Sequence, residues 1–310
     1  MKEGIRELIL KSGAIAVGFA SAGEVDNEIH RQYTKWIEEG YHGEMNYLCR
    51  HIPLKKSTDN VLKDSRTVIS CAFSYVPQEW LSEKYPAIAS YAYGEDYHIV
   101  LRDILNPLID KFQKEFGGKW RICIDSAPVS ERFWAMKAGI GKLGLNGAII
   151  TDNCGSLCFL VEILTTLEIE PDPSSYATCE KCGLCIKLCP GKALSEDKGF
   201  DARKCINYLT IEKAGEFTEE EIQILNSNSG FLFGCDICLR VCPNNVGTKT
   251  SDITRFRLGD KIKNLTPEKI LNFSEEEFKE CFKGSPLLYA GYQRLKRNAK
   301  ALIKNKRLKS

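Results

Sequence analysis

Eight of the fourteen cysteines in this 310-residue chain fall into a pattern suited to holding metal. In the run Cys179-x2-Cys182-x2-Cys185-x3-Cys189-Pro190, three thiolates can hold one 4Fe–4S cube while the fourth serves a second cube. The two-residue gaps let a tight turn bring successive sulfurs to different irons, and the proline turns the chain away without an N–H to satisfy. A second half-run, Cys235-x2-Cys238-x3-Cys242-Pro243, lacks its leading cysteine because Leu232 stands there. Two cubes need eight ligands and the runs supply seven, which makes Cys205, between them, the natural eighth. The cross-over rule gives Cys179, Cys182, Cys185 and Cys242 to one cluster and Cys189, Cys205, Cys235 and Cys238 to the other. A four-cysteine zinc site needs two pairs and leaves both Cys-Pro tails unexplained. Paired cubes relay single electrons, so the substrate chemistry must sit elsewhere. Cys49, Cys71, Cys123, Cys154, Cys158 and Cys281 remain as packing residues, with Cys71 and Cys123 in apolar strands.

Lys plus Arg number 43 and Asp plus Glu 41, for a formal charge of +2, with 43% hydrophobic and 27% charged residues. That excludes a disordered, collagen-like or coiled-coil chain. Charged residues break up the N-terminal apolar stretch, so no signal peptide is expected. No run approaches the roughly 18 apolar residues of a membrane span. A cytoplasmic protein with reduced thiols is the expectation.

The elements that must position this chemistry follow from periodicity. Helices are expected over 4–12, 27–38 and 97–116, the last bent at Pro107. Strands are expected over 13–19, 66–76 and 120–124. Residues 130–140 read as a helix opened by Ser130 as N-cap, and 146–165 as two strands joined by a turn at 152–155. Residues 1–167 thus make one unit of mixed helices and strands. A Pro- and Ser-rich linker from 168 leads into the cluster segment, 168–250. Residues 251–310 read as a small helical region. Capping boxes are expected at Thr218/Glu221 and Ser274/Glu277, and Thr266–Pro267 starts another helix.

Gly139-x-Gly141-x-x-Gly144 has the letters of a dinucleotide fingerprint but the wrong context, helix before and strand after, so it reads as a tight connection. Asp125 ends the strand 120–124 before Ser-Ala-Pro. It is either a site carboxylate at a strand's C-terminal end or an Asx turn. His98, alone beside an apolar run, reads as structural. From Lys283 to Ser310 there are nine Lys or Arg and no acid. With Tyr289 and Tyr292 nearby, this end suggests either phosphate contacts or a solvated basic tail.

Several stretches together resemble the epoxyqueuosine reductase family: GEMNYLCRH (43–51), YGEDYHIVLRDIL (93–105), DSAPVSERFWAMKAGIG (125–141), the cysteine frame and KCINYLTIEK (204–213). The resemblance implies an α+β fold with a nitroreductase-like cobalamin-binding domain, a ferredoxin-like domain with two 4Fe–4S clusters, and a small HEAT-like helical region. It implies reduction of epoxyqueuosine at the tRNA wobble position, with cobalamin reduced through the clusters by an external donor such as ferredoxin or flavodoxin. A monomer gripping the anticodon stem with its basic end is implied. Asp125 falls at the family's proton donor and is expected to keep its proton in a dry pocket. Ser130, Glu131, Arg132, Asn207 and Asp236 fall where the family contacts cobalamin. The chain departs from the family pattern at Lys55–Thr58, Ser126–Ala127 and Leu145. These departures keep open a related reductase with a non-tRNA, dehalogenase-like substrate. A two-cluster electron carrier is disfavoured by the large N-terminal unit.

Overall fold

The computed structural model describes residues 1–227 and 230–309, with side chains described as far as 303. A four-stranded antiparallel sheet organises the N-terminal half. Its strands are β1 (Ala16–Ser21), β2 (Thr67–Ser74), β3 (Trp120–Cys123) and β4 (Cys158–Thr165), in spatial order β1-β2-β4-β3. β2 is buried along its whole length, yet its residues divide between the two faces with a period of two. Ile69, Cys71 and Phe73 join Val161 and Ile163 of β4 under helices α1 (Lys2–Lys11) and α4 (Tyr97–Phe116). Val68 and Ala72 face the opposite way, toward helix α5 (Glu131–Lys137), whose Phe133, Trp134, Ala135 and Met136 are buried. Helices α2 (Asn27–Glu38) and α3 (Tyr47–Lys55) lie between β1 and β2 in the chain.

Most of the expected elements form, with informative differences. The first strand starts at 16, because Gly13 with φ 110 ends the turn after α1. Ser130 does occupy the N-cap of α5, but its hydroxyl makes no capping bond. Residues 149–150 and 158–165 are both strands, but they do not pair with each other. Ile149–Ile150 pairs with Lys142–Leu143, while β4 enters the main sheet. The glycine run is indeed a tight connection: a Cβ on Gly139 would meet the Pro173 carbonyl at 2.4 Å. Both capping boxes and the Thr266 cap are present.

The cluster segment is built from short pieces. Its helices Leu184–Lys187 and Ile237–Arg240 lie within the two cysteine runs and pack together. Phe231–Phe233 pairs in parallel with Ala87–Ile88, tying the segment to the N-terminal half. A second tie is Asn245. Its side chain accepts from Ser156 N at 2.7 Å and donates to Leu239 O at 2.7 Å. Gly155 allows this approach, since a Cβ there would lie 1.9 Å from Asn245 Oδ1.

The C-terminal helices share one apolar core with residues 81–93 and with Leu232 and Phe233. The last helix, Leu287–Lys309, is interrupted at Gly291, which has φ 78 and ψ 161. Arg297 departs from the expected basic face. It is 8% exposed and donates to the carbonyls of Leu209 (2.8 Å), Lys213 (2.8 Å) and Gly215 (2.7 Å). Asn298 beside it donates to Thr210 O and Leu232 O. The Leu209 and Thr210 carbonyls belong to the last turn of helix α6 (Ile206–Ile211), where backbone acceptors have no partner within the helix. Arg297 is therefore a buried clamp, not a phosphate contact. Lys283 and Lys300 are exposed and Arg294 and Lys296 partly so, while the side chains of Lys304, Lys306 and Arg307 lie outside those described.

Candidate active site

Asp125 lies two residues beyond β3, in the left-handed region at φ 46. Its position does not follow the parallel-sheet rule from which a site was expected, since this sheet is antiparallel. It is instead held by specific partners. The Asp125 backbone N–H donates to Glu131 Oε1 at 2.8 Å. On the side chain, Tyr97 OH donates to Oδ2 at 2.8 Å, and His98 Nε2 stands 3.6 Å from the same oxygen. Tyr97 is itself fixed by stacking between His98 (4.2 Å) and Phe159 (4.4 Å). Asp96 caps α4, accepting from His98 N at 2.9 Å, and its Oδ1 also meets His98 Nδ1 at 2.9 Å.

The Asp125 side chain is 63% exposed. Desolvation is the largest single influence on it and raises its pKa. The facing His98 ring, the hydrogen bond from Tyr97 and the charges of His98 and Lys55 outweigh that, so Asp125 is held below its ordinary value. Burial also works against the His98 cation, but Asp125 and Asp96 lift it to about 9. Both directions run against the expectation that Asp125 keeps its own proton and favour the His98 cation. His98, read from sequence as structural, belongs to the site. The letters Asp-x-His carried the signal, because a helix cap two residues before a histidine brings its carboxylate to the ring.

Beneath this pair lies a buried charge cluster. Glu162 on β4 is fully buried, accepts from Ser70 Oγ at 3.0 Å and leaves Oε2 without a partner. Burial, then the charge of Glu131, pushes Glu162 well above the usual carboxylate range. Burial and the Asp125 charge push Glu131 up to about 7. Lys55, at the end of α3, is lowered by burial, against the opposing pull of Glu131. Of the five expected cobalamin contacts, Glu131 is turned inward to the Asp125 loop. Ser130 Oγ lies 3.5 Å from Lys55 O, and Arg132 is exposed beside Gly147. Asp236 is buried and accepts from Ser90 N; burial raises it to about 6. Asn207 lies near Gly234. Tyr91 connects the two groups: it feels the charges of Asp236 and Asp125 alike, and its ring is 6.3 Å from Tyr97.

Several cluster cysteines lie near enough to influence one another's thiols, Cys185 acting on Cys238 as well as within its own run. The thiols of Cys179 and Cys182 bear on Cys185. Cys189 bears on Cys205, Cys205 on Cys235, and Cys205 and Cys189 on Cys238. Asn244 donates to Cys242 Sγ at 3.8 Å and to Glu180 at 3.2 Å, placing Cys242 beside the first run. Ala193 N donates to Cys189 Sγ at 3.3 Å. N–H groups aimed at sulfur suit thiolate ligands.

Comparison with known proteins agrees. Residues 178–245 match the 4Fe-4S double cluster binding domain, and 56–126 match the family model "Epoxyqueuosine reductase QueG, DUF1730". Epoxyqueuosine reductase of Cyclobacterium marinum is 33% identical over 298 residues, covering 95% of this chain and 94% of that protein. The chain belongs to the epoxyqueuosine reductase family. The Pseudomonas aeruginosa member is 32% identical, covering 96% of this chain and 83% of its own. A crystal structure of epoxyqueuosine reductase with an epoxyqueuosine-modified tRNA-Tyr stem loop superposes with a TM-score of 0.86 at 26% identity, covering 97% of this chain and 80% of that one. A Bacillus subtilis epoxyqueuosine reductase whose catalytic aspartate loop is swung out of the active site gives a TM-score of 0.86 at 25% identity, with the same coverage. The mixed helix-and-sheet architecture with a double-cluster domain is therefore that of this oxidoreductase family. Among the described residues, no helix is long and apolar enough to cross a membrane.

Proposed function

We propose that this protein reduces epoxyqueuosine to queuosine at the wobble position of tRNA. The observation that carries this reading is the combination, in one chain, of a double-cluster frame with Asp125 presented by Tyr97, His98 and Glu131. Cys179, Cys182, Cys185 and Cys242 hold one cube, and Cys189, Cys205, Cys235 and Cys238 the other. An external one-electron donor, such as a ferredoxin or flavodoxin, feeds them.

Removing an epoxide oxygen as water consumes two electrons and two protons and leaves a carbon–carbon double bond. The polar groups available to a large cofactor are the exposed Arg132, the Ser130 hydroxyl, the Asn207 amide and the Asp236 carboxylate. We assign these to cobalamin, whose chemistry when bound is strong low-potential reduction. Glu131 acts one step back, fixing the Asp125 backbone. Asp125 delivers a proton to the leaving oxygen, and Tyr97 keeps its carboxylate aimed. Exposed Lys283 and Lys300, with Arg294 and Lys296, meet the RNA backbone. We read residues 1–167 as a nitroreductase-like domain, 168–250 as ferredoxin-like and 251–310 as a HEAT-like helical region, in a monomeric cytoplasmic enzyme.

Anaerobic incubation of cluster- and cobalamin-loaded protein with stem-loop RNA carrying epoxyqueuosine, read by mass spectrometry, tests the reading. Formation of queuosine supports it. Persistent epoxyqueuosine with a loaded, reduced enzyme overturns it.

A further inference from the structure

We propose that His98, oriented by Asp96, is the proton carrier that reloads Asp125 during turnover. The inference rests on the epoxide-reduction reading and adds to it the source of the proton.

The geometry forms a line. Asp96 Oδ1 meets His98 Nδ1 at 2.9 Å, and His98 Nε2 faces Asp125 Oδ2 at 3.6 Å. A carboxylate on Nδ1 fixes the ring and stabilises its cation, so the second proton points from Nε2 at Asp125. The separation of 3.6 Å is that of an ion pair, a small side-chain movement from a formed hydrogen bond. His98 is 29% exposed, enough to recover a proton from solvent.

The other groups around the pair do not fill this role. Tyr97 donates to Asp125 but is pushed up by burial and by Asp125, so its hydroxyl stays protonated and aims the acid rather than supplying it. Glu131 takes the Asp125 backbone N–H and lies behind the loop. Lys55 acts on Asp125 through charge. Tyr47, Tyr91, Glu212 and Tyr289, from α3, the chain before α4, the cluster segment and the last helix, feel the Asp125 charge. Among all these, His98 is the cation in line with the carboxylate oxygen.

The step balances simply. As the oxygen leaves carbon, the Nε2–H bond of the His98 cation breaks and its proton passes to Asp125 Oδ2, and Asp125 gives a proton to that oxygen. Solvent then restores the His98 cation. The electrons come from the external donor, and His98 is neither oxidised nor reduced.

Two variants and one spectroscopic reading test this on the loaded enzyme. Asp96→Asn keeps a good helix cap but removes the charge on Nδ1. Wild-type turnover is expected to fall as pH rises through about 9, where His98 loses its proton. In Asp96→Asn that fall moves at least one pH unit lower. His98→Gln loses about 100-fold in kcat and the basic fall disappears, with KM for the RNA and iron content unchanged. Nitrogen NMR of the His98 ring reports its protonation without turnover: a cation at pH 7.5 in wild type, neutral at lower pH in Asp96→Asn. A neutral His98 ring at pH 7.5, or a basic fall unmoved by Asp96→Asn, overturns the proposal. Wild-type protein that makes no queuosine overturns the functional reading instead, while the ring titration still decides the relay.

Discussion

The cluster frame and the Asp125 site are built in opposite ways. The frame is local: seven of its eight cysteines lie in two short runs, each set by tight turns followed by proline. The Asp125 site is assembled from the end of α3, the first turn of α4, the loop after β3 and the start of α5. Tyr97 and Asp125 are 28 residues apart, and Ser70 and Glu162 are 92 apart. A metal frame can be specified by spacing alone. A proton-handling site requires the sheet to bring distant side chains to one oxygen atom.

This contrast predicts how each region breaks. Cys235→Ala removes a frame ligand, and iron in the reconstituted protein should fall from about eight toward four per chain, with turnover abolished. Full iron content would show that the ligand count is wrong. Arg297→Met strikes the joint between the last helix and the cluster segment. It leaves one buried and two part-buried carbonyls without their donor and should cost about 1–3 kcal/mol, read as a lower urea midpoint. A midpoint within error of wild type would mean that the clamp contributes little.

Tyr97→Phe is narrower. Losing one hydrogen bond to a charged acceptor is worth about 1.5 kcal/mol, or roughly tenfold in kcat, and Asp125 should titrate higher. Unchanged kcat would remove Tyr97 from the aiming role. Glu162→Gln should have the smallest effect. The native state holds a proton on Glu162 above the ordinary value of 4.5, so wild-type stability declines as pH rises from there toward its native pKa. The glutamine variant should show a flatter profile over that window. An unaltered slope would mean that Glu162 is ionised in the native protein.

The same contrast explains what the chain made legible. Helices α2 and α4, the buried β2, the capping boxes and the cysteine frame could be read directly, because each depends on neighbours within a few residues. The sheet order and its antiparallel sense could not, and so the strand-end argument for Asp125 rested on the wrong sheet type. His98 was passed over because a histidine's chemistry depends on what faces its second nitrogen, and that partner lies 27 residues away. Arg297 looked like part of a basic grip because charge patterning cannot tell a solvated guanidinium from one turned inward onto carbonyls. The likeness of the DYH and DSAPVSER stretches to one family carried Asp125, which periodicity alone left undecided.

The central claim is that the frame delivers electrons while Asp125 delivers protons, as separable parts of one reaction. It is tested most directly by comparing Asp125→Asn with wild type for queuosine formed from epoxyqueuosine-bearing stem-loop RNA, with iron content and RNA affinity measured on the same samples. The account predicts full clusters, unchanged RNA binding and a loss of at least about 100-fold in queuosine formation. Near-wild-type queuosine formation by a fully loaded Asp125→Asn enzyme would contradict it.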